Sequence, residues 1–406
     1  MILSISWKNI WRKRVRSLVI LIAIALGITT GIFNMGFYYG MIDQRTETAI
    51  NNEASHIQIH DTSFMTNPDI KRYFTDARRM KREIGSMEKV RAVSNRIVVN
   101  SMAMTAETGV GVEIYGIDPE EEKQVTNIHE KLTAGNYFED AGKHPILIGK
   151  ELGEKLDVEV DNKIILHLQT VDGTMTRGRF EVTGIYRTSN AQFNERNVFV
   201  LRSDLREMIG LDSTAAHEMA ILLVSNDPLD QVTDELSEKY PGLAVDPWYN
   251  IMPEVGLIEN TMDVTMYFIM IIILFALCFG IINTMLMAVL ERIKEIGMLK
   301  AIGMNKVRVF SMVMIETVLL VLTGGGVGLG LGTLVILITG STGIDLSLYS
   351  QAWEELGYES VIYPTIGLAN LVVVTLLVIL TGILASIYPA IKAIRLNPAE
   401  ALKVDM

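Results

Sequence analysis

The chain has 406 residues, 49% of them hydrophobic, with a mean hydropathy of +0.30, a net charge of −11 and a single cysteine, Cys278. Four long and nearly uncharged stretches (18–40, 264–290, 309–339 and 364–387) each reach the ~20 residues that cross a bilayer, which excludes an ordinary soluble enzyme. One cysteine excludes an intrachain disulfide or a cysteine-rich metal framework, and the acidic balance disfavours nucleic acid.

At the start, Ile5, Trp7, Ile10, Trp11 and Val15 recur mostly three to four residues apart with basic residues between them. This pattern predicts an interfacial amphipathic helix over residues 1–17 with its indoles at headgroup depth. The apolar run that follows is too long for a cleaved leader and lacks a small-residue cleavage pattern after 31–40, so it reads as a retained anchor. Charge then gives the orientation. Lys8, Arg12, Lys13, Arg14 and Arg16 precede the first span; Arg292, Lys294, Lys300, Lys306 and Arg308 lie between the second and third; Lys392, Arg395 and Lys403 follow the fourth. The loop 340–363 carries Asp345, Glu354, Glu355 and Glu359 but neither Lys nor Arg. Both termini are therefore expected in the cytoplasm, and residues 41–263 outside it.

That outer segment holds 23 Lys and Arg against 38 Asp and Glu, a net of −15. Short runs rich in branched residues predict strands at 56–60, 96–101, 112–117, 163–169, 180–186, 197–201 and 219–224. Helices are expected at 68–84, starting at Asn67-Pro68, at 119–131, and at 229–240 after Asp227-Pro228. Asp172-Gly173 marks a hairpin turn. Strand and helix alternate near both ends of the segment while its middle is more purely β. The expected fold is thus four transmembrane helices plus a large mixed α/β extracytoplasmic domain, with a β-rich insertion at about 119–212.

No catalytic constellation emerges. GxxxxGK[ST] is absent, so the chain has no such loop for ATP. The run from Gly324 to Gly332 has no Lys and does not fit GxGxxG. It lies within the third span, where Gly324, Gly328 and Gly332 repeat every four residues and predict close helix packing. Of the six histidines (His56, His60, His129, His144, His167 and His217), only His56 and His60 have a spacing that could share a strand face, and two histidines are a weak metal signal. No metal is expected. Asn283 and Glu316 fall inside spans near one interface; an interhelical hydrogen bond or an interfacial carboxylate is one reading, an ion pathway the other.

The strongest segment begins where the second span ends. Asn283, Met285, Leu286, Val289, Glu291, Arg292, Glu295, Ile296, Gly297, Ala301 and Gly303 lie on a helix that runs out of the bilayer, through a charged turn, into a short helix able to dock in a groove of another protein. This pattern resembles the signature of ABC-transporter permeases of the MacB/FtsX/LolC–LolE type. The terminal run Tyr388, Pro389, Ala390, Ala393, Asn397, Pro398, Glu400, Ala401 and Leu402 is similar to the family's closing motif, and Trp7-Lys8-Asn9-Ile10 fits its start. The segments Ser55–His60 and Tyr115–Pro119, and the stretch 135–161, look like the lipoprotein-releasing LolC/LolE branch. The hairpin at 170–179 departs from it, being shorter than the extension with which LolC-type chains catch a soluble carrier.

The resemblance implies a non-catalytic, multi-pass permease subunit of the bacterial inner membrane. It would work beside a second permease copy or paralogue on a cytosolic ABC ATPase dimer, which would bind ATP and Mg. The coupling segment (291–308) would seat Glu291, Arg292, Lys294, Glu295, Gly297, Lys300, Ala301 and Gly303 at the ATPase, with Pro389, Asn397 and Pro398 of the C-terminal segment (388–406) beside them. The outer lobes would correspond to the family's porter and Sabre lobes. The cargo would be a lipoprotein, passed to a periplasmic carrier where one serves, with acyl chains entering between the first two spans near Phe33, Phe37, Tyr38, Met262, Met266 and Phe268. Two other readings remain open: MacB-like efflux of peptides or small molecules with a membrane-fusion partner, and FtsX-like control of a periplasmic hydrolase.

Overall fold

The computed structural model describes residues 6–7, 10–12, 14–139 and 142–395. The chain divides into two compact units: a helical one formed by residues 1–41, 261–345 and 361–406, and an α/β one formed by residues 42–260 and 346–360.

Among the described residues, four helices are long and apolar enough to cross a membrane: Arg14–Thr48, which continues as a π-helical turn over Ala49–Ala54, then Pro253–Glu291, Lys306–Thr342 and Leu368–Arg395. Small residues set how closely they pack. A Cβ at Gly324 would meet Ile24, one at Gly328 would meet the Ala25 carbonyl and Ile28, and one at Gly332 would meet Ile32, so the four-residue glycine repeat of the third membrane helix lies directly on the first. The close approach also lets Thr29 Oγ1 donate to the Gly328 carbonyl at 3.1 Å. Gly27 and Gly31 of the first helix receive Leu277 and Met270 of the second, while Gly325 and Gly382 bring the third and fourth together through Val378 and Val321. Apolar contact between lipid-soluble helices gains little over lipid, so this backbone proximity is what holds the bundle.

The α/β unit is built on one long strand. After β1 (Ile57–Asp61) and α1 (Ala77–Gly85), β2 runs for 15 residues from Val90 to Met104 and β3 (Gly109–Ile117) returns beside it. There follow α2 (Pro119–Val125), β4 (Leu132–Gly135), β5 (Pro145–Gly149), α3 (Lys150–Leu156), β6 (Lys163–Gln169), β7 (Met175–Tyr186), α4 (Ala191–Arg196), β8 (Asn197–Leu201), α5 (Arg202–Ile209), β9 (Glu218–Leu223), α6 (Leu229–Lys239) and β10 (Leu243–Pro247). The first half of β2 joins an antiparallel sheet in the order β10-β1-β9-β2. Its second half pairs with β3 on one side and β6 on the other, and the ladder β2-β3-β8-β5-β7-β6 returns to β2. Six strands therefore close a small barrel, with β4 pairing outside it on β7 alone. Inward-facing Ile97, Val99, Ile114, Ile146, Ile148, Leu166, Phe180, Val182 and Val198 fill it. The β-rich lobe thus begins inside β2, near Ile97, rather than at residue 119.

Two helix expectations are shortened by tertiary pairing. Residues 68–75 are not helical: the Phe74 N–H donates to the Ala216 carbonyl at 2.9 Å and its carbonyl accepts from the Ala216 N–H at 3.0 Å, so the helix starts only at Ala77. The helix expected over 119–131 starts as anticipated, with Asp118 accepting from the Glu120 and Glu121 N–H groups and Pro119 in the first turn, but stops at Val125. There the Asn127 N–H turns to the Asn51 carbonyl instead. The β6–β7 connection is a tight turn in which Gly173 has φ +91°, a value that favours glycine, and Asp172 accepts from the Thr174 N–H at 3.1 Å.

Candidate functional site

The second membrane helix ends at Glu291, and Arg292, with φ −105° and ψ 21°, breaks the helical path before the connecting helix Ile293–Ala301 begins. Gly303, at φ +97°, then turns the chain, and Asn305 caps the third membrane helix by accepting from the Val307 N–H at 3.3 Å. The connecting helix rests on a small core of Val289, Ile296, Val309, Val313, Ala390 and Ala393, all buried. Lys300 Nζ donates to the Ile394 carbonyl at 3.0 Å, satisfying a backbone acceptor in the last turn of the fourth membrane helix.

A lattice of ion pairs surrounds the helix break. Arg16, at the start of the first membrane helix, and Arg12, just before that helix, reach Glu291 and Glu295, four residues apart across the break. Arg16 holds Glu291 through both terminal nitrogens, with Nη1 to Oε2 at 2.8 Å, and Arg12 meets Glu295 at 2.6 Å. Arg292 contacts Glu295 at 3.3 Å and both carboxylate oxygens of Glu316 at 3.0 and 3.2 Å. Glu316 is buried, so its charge is matched by Arg292 inside the helical unit; this is the interhelical pairing the sequence offered as one of two readings. Burial alone would raise the Glu295 carboxyl, but Arg12 and Arg292 together hold it below its ordinary range. A cavity of about 250 Å³ lies among these groups, bordered by Arg12, Arg16, Glu291, Arg292, Glu316 and Leu320.

The residues read as a docking segment divide between the inner and outer faces of the connecting helix. Gly297 faces inward and is buried, while Glu291, Arg292 and Glu295 are engaged within the chain. What the helix leaves uncovered is Lys294, Met298, Ala301 and Ile302, one stripe at helical spacing, with Met298 53% and Ile302 80% exposed. Sequence alone does not set Met298 and Ile302 apart, because a single apolar residue in a charged connector has no distinguishing pattern. Pro389 is buried within the fourth membrane helix; Asn397 and Pro398 lie outside the described residues. The residues read as a lipid cavity differ in exposure. Met262 and Met266 are buried and Phe33, Phe37 and Tyr38 are half-buried, whereas Phe268 is exposed. Phe268 instead shares an uncovered stripe of the second membrane helix with Val264, Ile272, Phe275 and Phe279. His56 and His60 serve the sheet: His56 Nδ1 accepts from the Leu223 N–H at 3.2 Å and His60 lies 3.1 Å from Gln58.

Two family models match in tandem: the MacB-like periplasmic core domain over residues 17–239 and the FtsX-like permease C-terminal domain over residues 267–398. The chain belongs to the MacB/FtsX family of ABC-transporter permeases. Residues 42–260 are accordingly its extracytoplasmic domain, and the connecting helix lies within the FtsX-like segment. Among curated relatives, a lipoprotein-releasing system transmembrane protein LolC from Neisseria meningitidis is 24% identical, with 96% of this chain and 94% of that one aligned. A LolE protein of the same system from Haemophilus influenzae is 21% identical over 98% of both chains. A macrolide export ATP-binding/permease protein MacB, also from Neisseria meningitidis, is 33% identical over 31% of this chain and 17% of its own length. Within the family the chain is most like the LolC/LolE branch.

Proposed function

We propose that this permease extracts lipid-anchored proteins from the outer leaflet of the inner membrane, driven by ATP that a cytosolic ATPase dimer hydrolyses with Mg. The observation that carries the proposal is alignment from end to end with lipoprotein-releasing permeases, whereas the likeness to the macrolide exporter is confined to about a third of the chain. Both termini and the connecting helix face the cytoplasm. The exposed stripe Lys294, Met298, Ala301 and Ile302 seats in the ATPase, and the ion-pair lattice passes its movement to the first and third membrane helices. The phenylalanine-rich stripe of the second membrane helix, centred on Phe268 and Phe275, presents an apolar surface to acyl chains at the contact with a second permease copy.

The test is purification of the full chain with its ATPase, followed by mass spectrometry of bound material. A co-purifying acylated protein, lost in Phe268→Ser while the ATPase remains bound, is the expected result. Ile302→Asp is expected to release the ATPase and leave membrane insertion unchanged. A membrane-fusion partner recovered in place of an acylated protein would overturn the assignment in favour of efflux.

A further inference from the structure

The two lobes of the extracytoplasmic domain meet at a second polar feature, separate from the membrane helices. A cavity of about 300 Å³ opens at their seam, where α1 of the first lobe faces the β3–α2 corner and α5 of the barrel lobe. Three guanidiniums border it, those of Arg78, Arg202 and Arg206, against a single lining carboxylate, Asp118. This is an excess of two positive charges in a domain segment whose net charge is −15. Arg202 is partly committed: its Nη1 donates to the Asn95 carbonyl at 3.1 Å, and it lies 3.8 Å from Asp118 and 3.6 Å from Glu121, which Lys81 also holds. Asp212 lies within electrostatic range of Arg78 and Arg206, but its Oδ1 is taken by the Thr214 N–H at 2.8 Å and hydroxyl at 2.6 Å. No carboxylate of the described residues stands within ion-pair distance of Arg78 or Arg206. The wall also holds Asn95, 2% exposed, whose Nδ2 donates to the Ala77 carbonyl at 3.3 Å while its Oδ1 has no partner.

We propose that this seam binds a dianionic phosphate group, either free phosphate or a phosphomonoester. Guanidinium forks match phosphate oxygens bidentately, and a phosphomonoester carries about −1.5 to −2 near pH 7, which equals the excess charge of the wall. A phosphodiester carries half that charge and leaves one guanidinium unmatched. The orphaned Asn95 acceptor calls for a donor, which a hydroxyl on the phosphorylated molecule supplies. A cavity of this size accommodates a small polyol phosphate. Because Arg78 comes from one lobe and Arg202 and Arg206 from the other, the bound anion ties the lobes together at the point where β2 passes between them.

The full chain with its ATPase, in nanodiscs of zwitterionic lipid, is titrated calorimetrically with inorganic phosphate, glycerol 3-phosphate and dimethyl phosphate. Glycerol 3-phosphate is expected to bind and dimethyl phosphate to bind about tenfold more weakly or less. Phosphate binding as tightly as its glycerol ester identifies the free ion as the ligand; tighter binding of the ester identifies a phosphomonoester. The doubly substituted R78Q/R206Q protein is expected to lose about a hundredfold in affinity. Its native hydrogen-exchange pattern without ligand controls for folding. Ligand should also slow exchange in both α1 and α5 of the unsubstituted protein. Absence of binding by both inorganic phosphate and glycerol 3-phosphate, equal affinity for dimethyl phosphate, or unchanged affinity in R78Q/R206Q would overturn the proposal.

Discussion

Replacing Glu316 by Gln removes the carboxylate that Arg292 meets at 3.0 Å while keeping the shape of the side chain. At that distance, with the effective dielectric of about 20 that suits such sites, the Coulomb attraction is about 5.5 kcal/mol. The two side chains are 19% and 9% exposed, so roughly half of this is offset by the desolvation both charges have already undergone. A net loss of ~2–3 kcal/mol follows, localised at the helix break because Arg292 retains only its longer contact to Glu295. Hydrogen exchange of the full complex measures local opening directly. Amides of Ile293–Ala301 should exchange about a hundredfold faster in Glu316→Gln, and ATP hydrolysis should become less dependent on cargo. The partner substitution Arg292→Gln should cost at least as much, since it strands Glu316. The double substitution leaves two neutral amides and should recover much of the loss, with a coupling energy of ~2 kcal/mol. Additive effects of the two single substitutions, within about 0.5 kcal/mol, would refute the idea that this pair fixes the break.

Three further outcomes are expected. Arg96 is 2% exposed and holds Glu122 at 2.6 and 3.1 Å and Glu218 at 2.6 Å, so Arg96→Met strands two buried carboxylates and should destabilise the extracytoplasmic domain by about 3–5 kcal/mol, read as lost exchange protection in β2 and β9; neutralising Glu122 and Glu218 in the same chain should restore much of that protection. Burial lowers the His56 pKa to about 4 and depresses those of His60 and His217 in the same direction. The unfolded state, titrating near 6.5, therefore takes up protons first, so the domain should lose stability as pH falls from about 6.5 toward 4, by ~2 kcal/mol for His56 alone, and gain none above pH 7; a flat unfolding profile across that window would contradict the assignment. Gly328→Leu places a side chain where a Cβ already meets the Ala25 backbone at 2.8 Å and should cost about 1–3 kcal/mol or separate the first and third membrane helices, as seen by loss of cross-linking between cysteines introduced there, whereas Gly326→Leu, which points into open space, should be tolerated.

Much of this fold was legible because its signals are local. Hydropathy alone marks four spans, the strand runs at 163–169 and 197–201 coincide with β6 and β8, and the Asp118-Pro119 cap starts α2 where a cap should. The failures are non-local. Nothing in the sequence of residues 68–75 reveals that Phe74 will pair with Ala216, which ends any helix there. Barrel closure depends on β2 meeting β6 more than 60 residues later, and hydrophobic alternation cannot tell a closed ladder from an open one. At the candidate site the sequence singled out the connecting segment without separating its exposed Lys294 and Ala301 from the residues engaged inside the chain. Arg16 and Glu291 are 275 positions apart, so their pairing, which withdraws Glu291 from any outside partner, was invisible, and with it the exposure of Met298 and Ile302.

The engagement of those charges bears on how force would travel in the proposed coupling. If Glu291, Arg292 and Glu295 contacted the ATPase themselves, each would have to leave a partner already within about 3 Å, and for Arg292 that would strand the buried Glu316 carboxylate. With those charges engaged within the chain, the connecting helix is fastened to the first membrane helix through Arg16, to the segment before it through Arg12 and to the third through Glu316, while Met298 and Ile302 are left exposed for the proposed contact. A displacement applied to that apolar stripe then cannot be absorbed by the connector alone. It must move the second membrane helix, 39 residues and therefore about 58 Å of continuous α-helix that begins at Pro253 in the extracytoplasmic segment. Under the proposed coupling, charges engaged within the chain and an apolar stripe left uncovered would divide the labour that a rigid transmission requires.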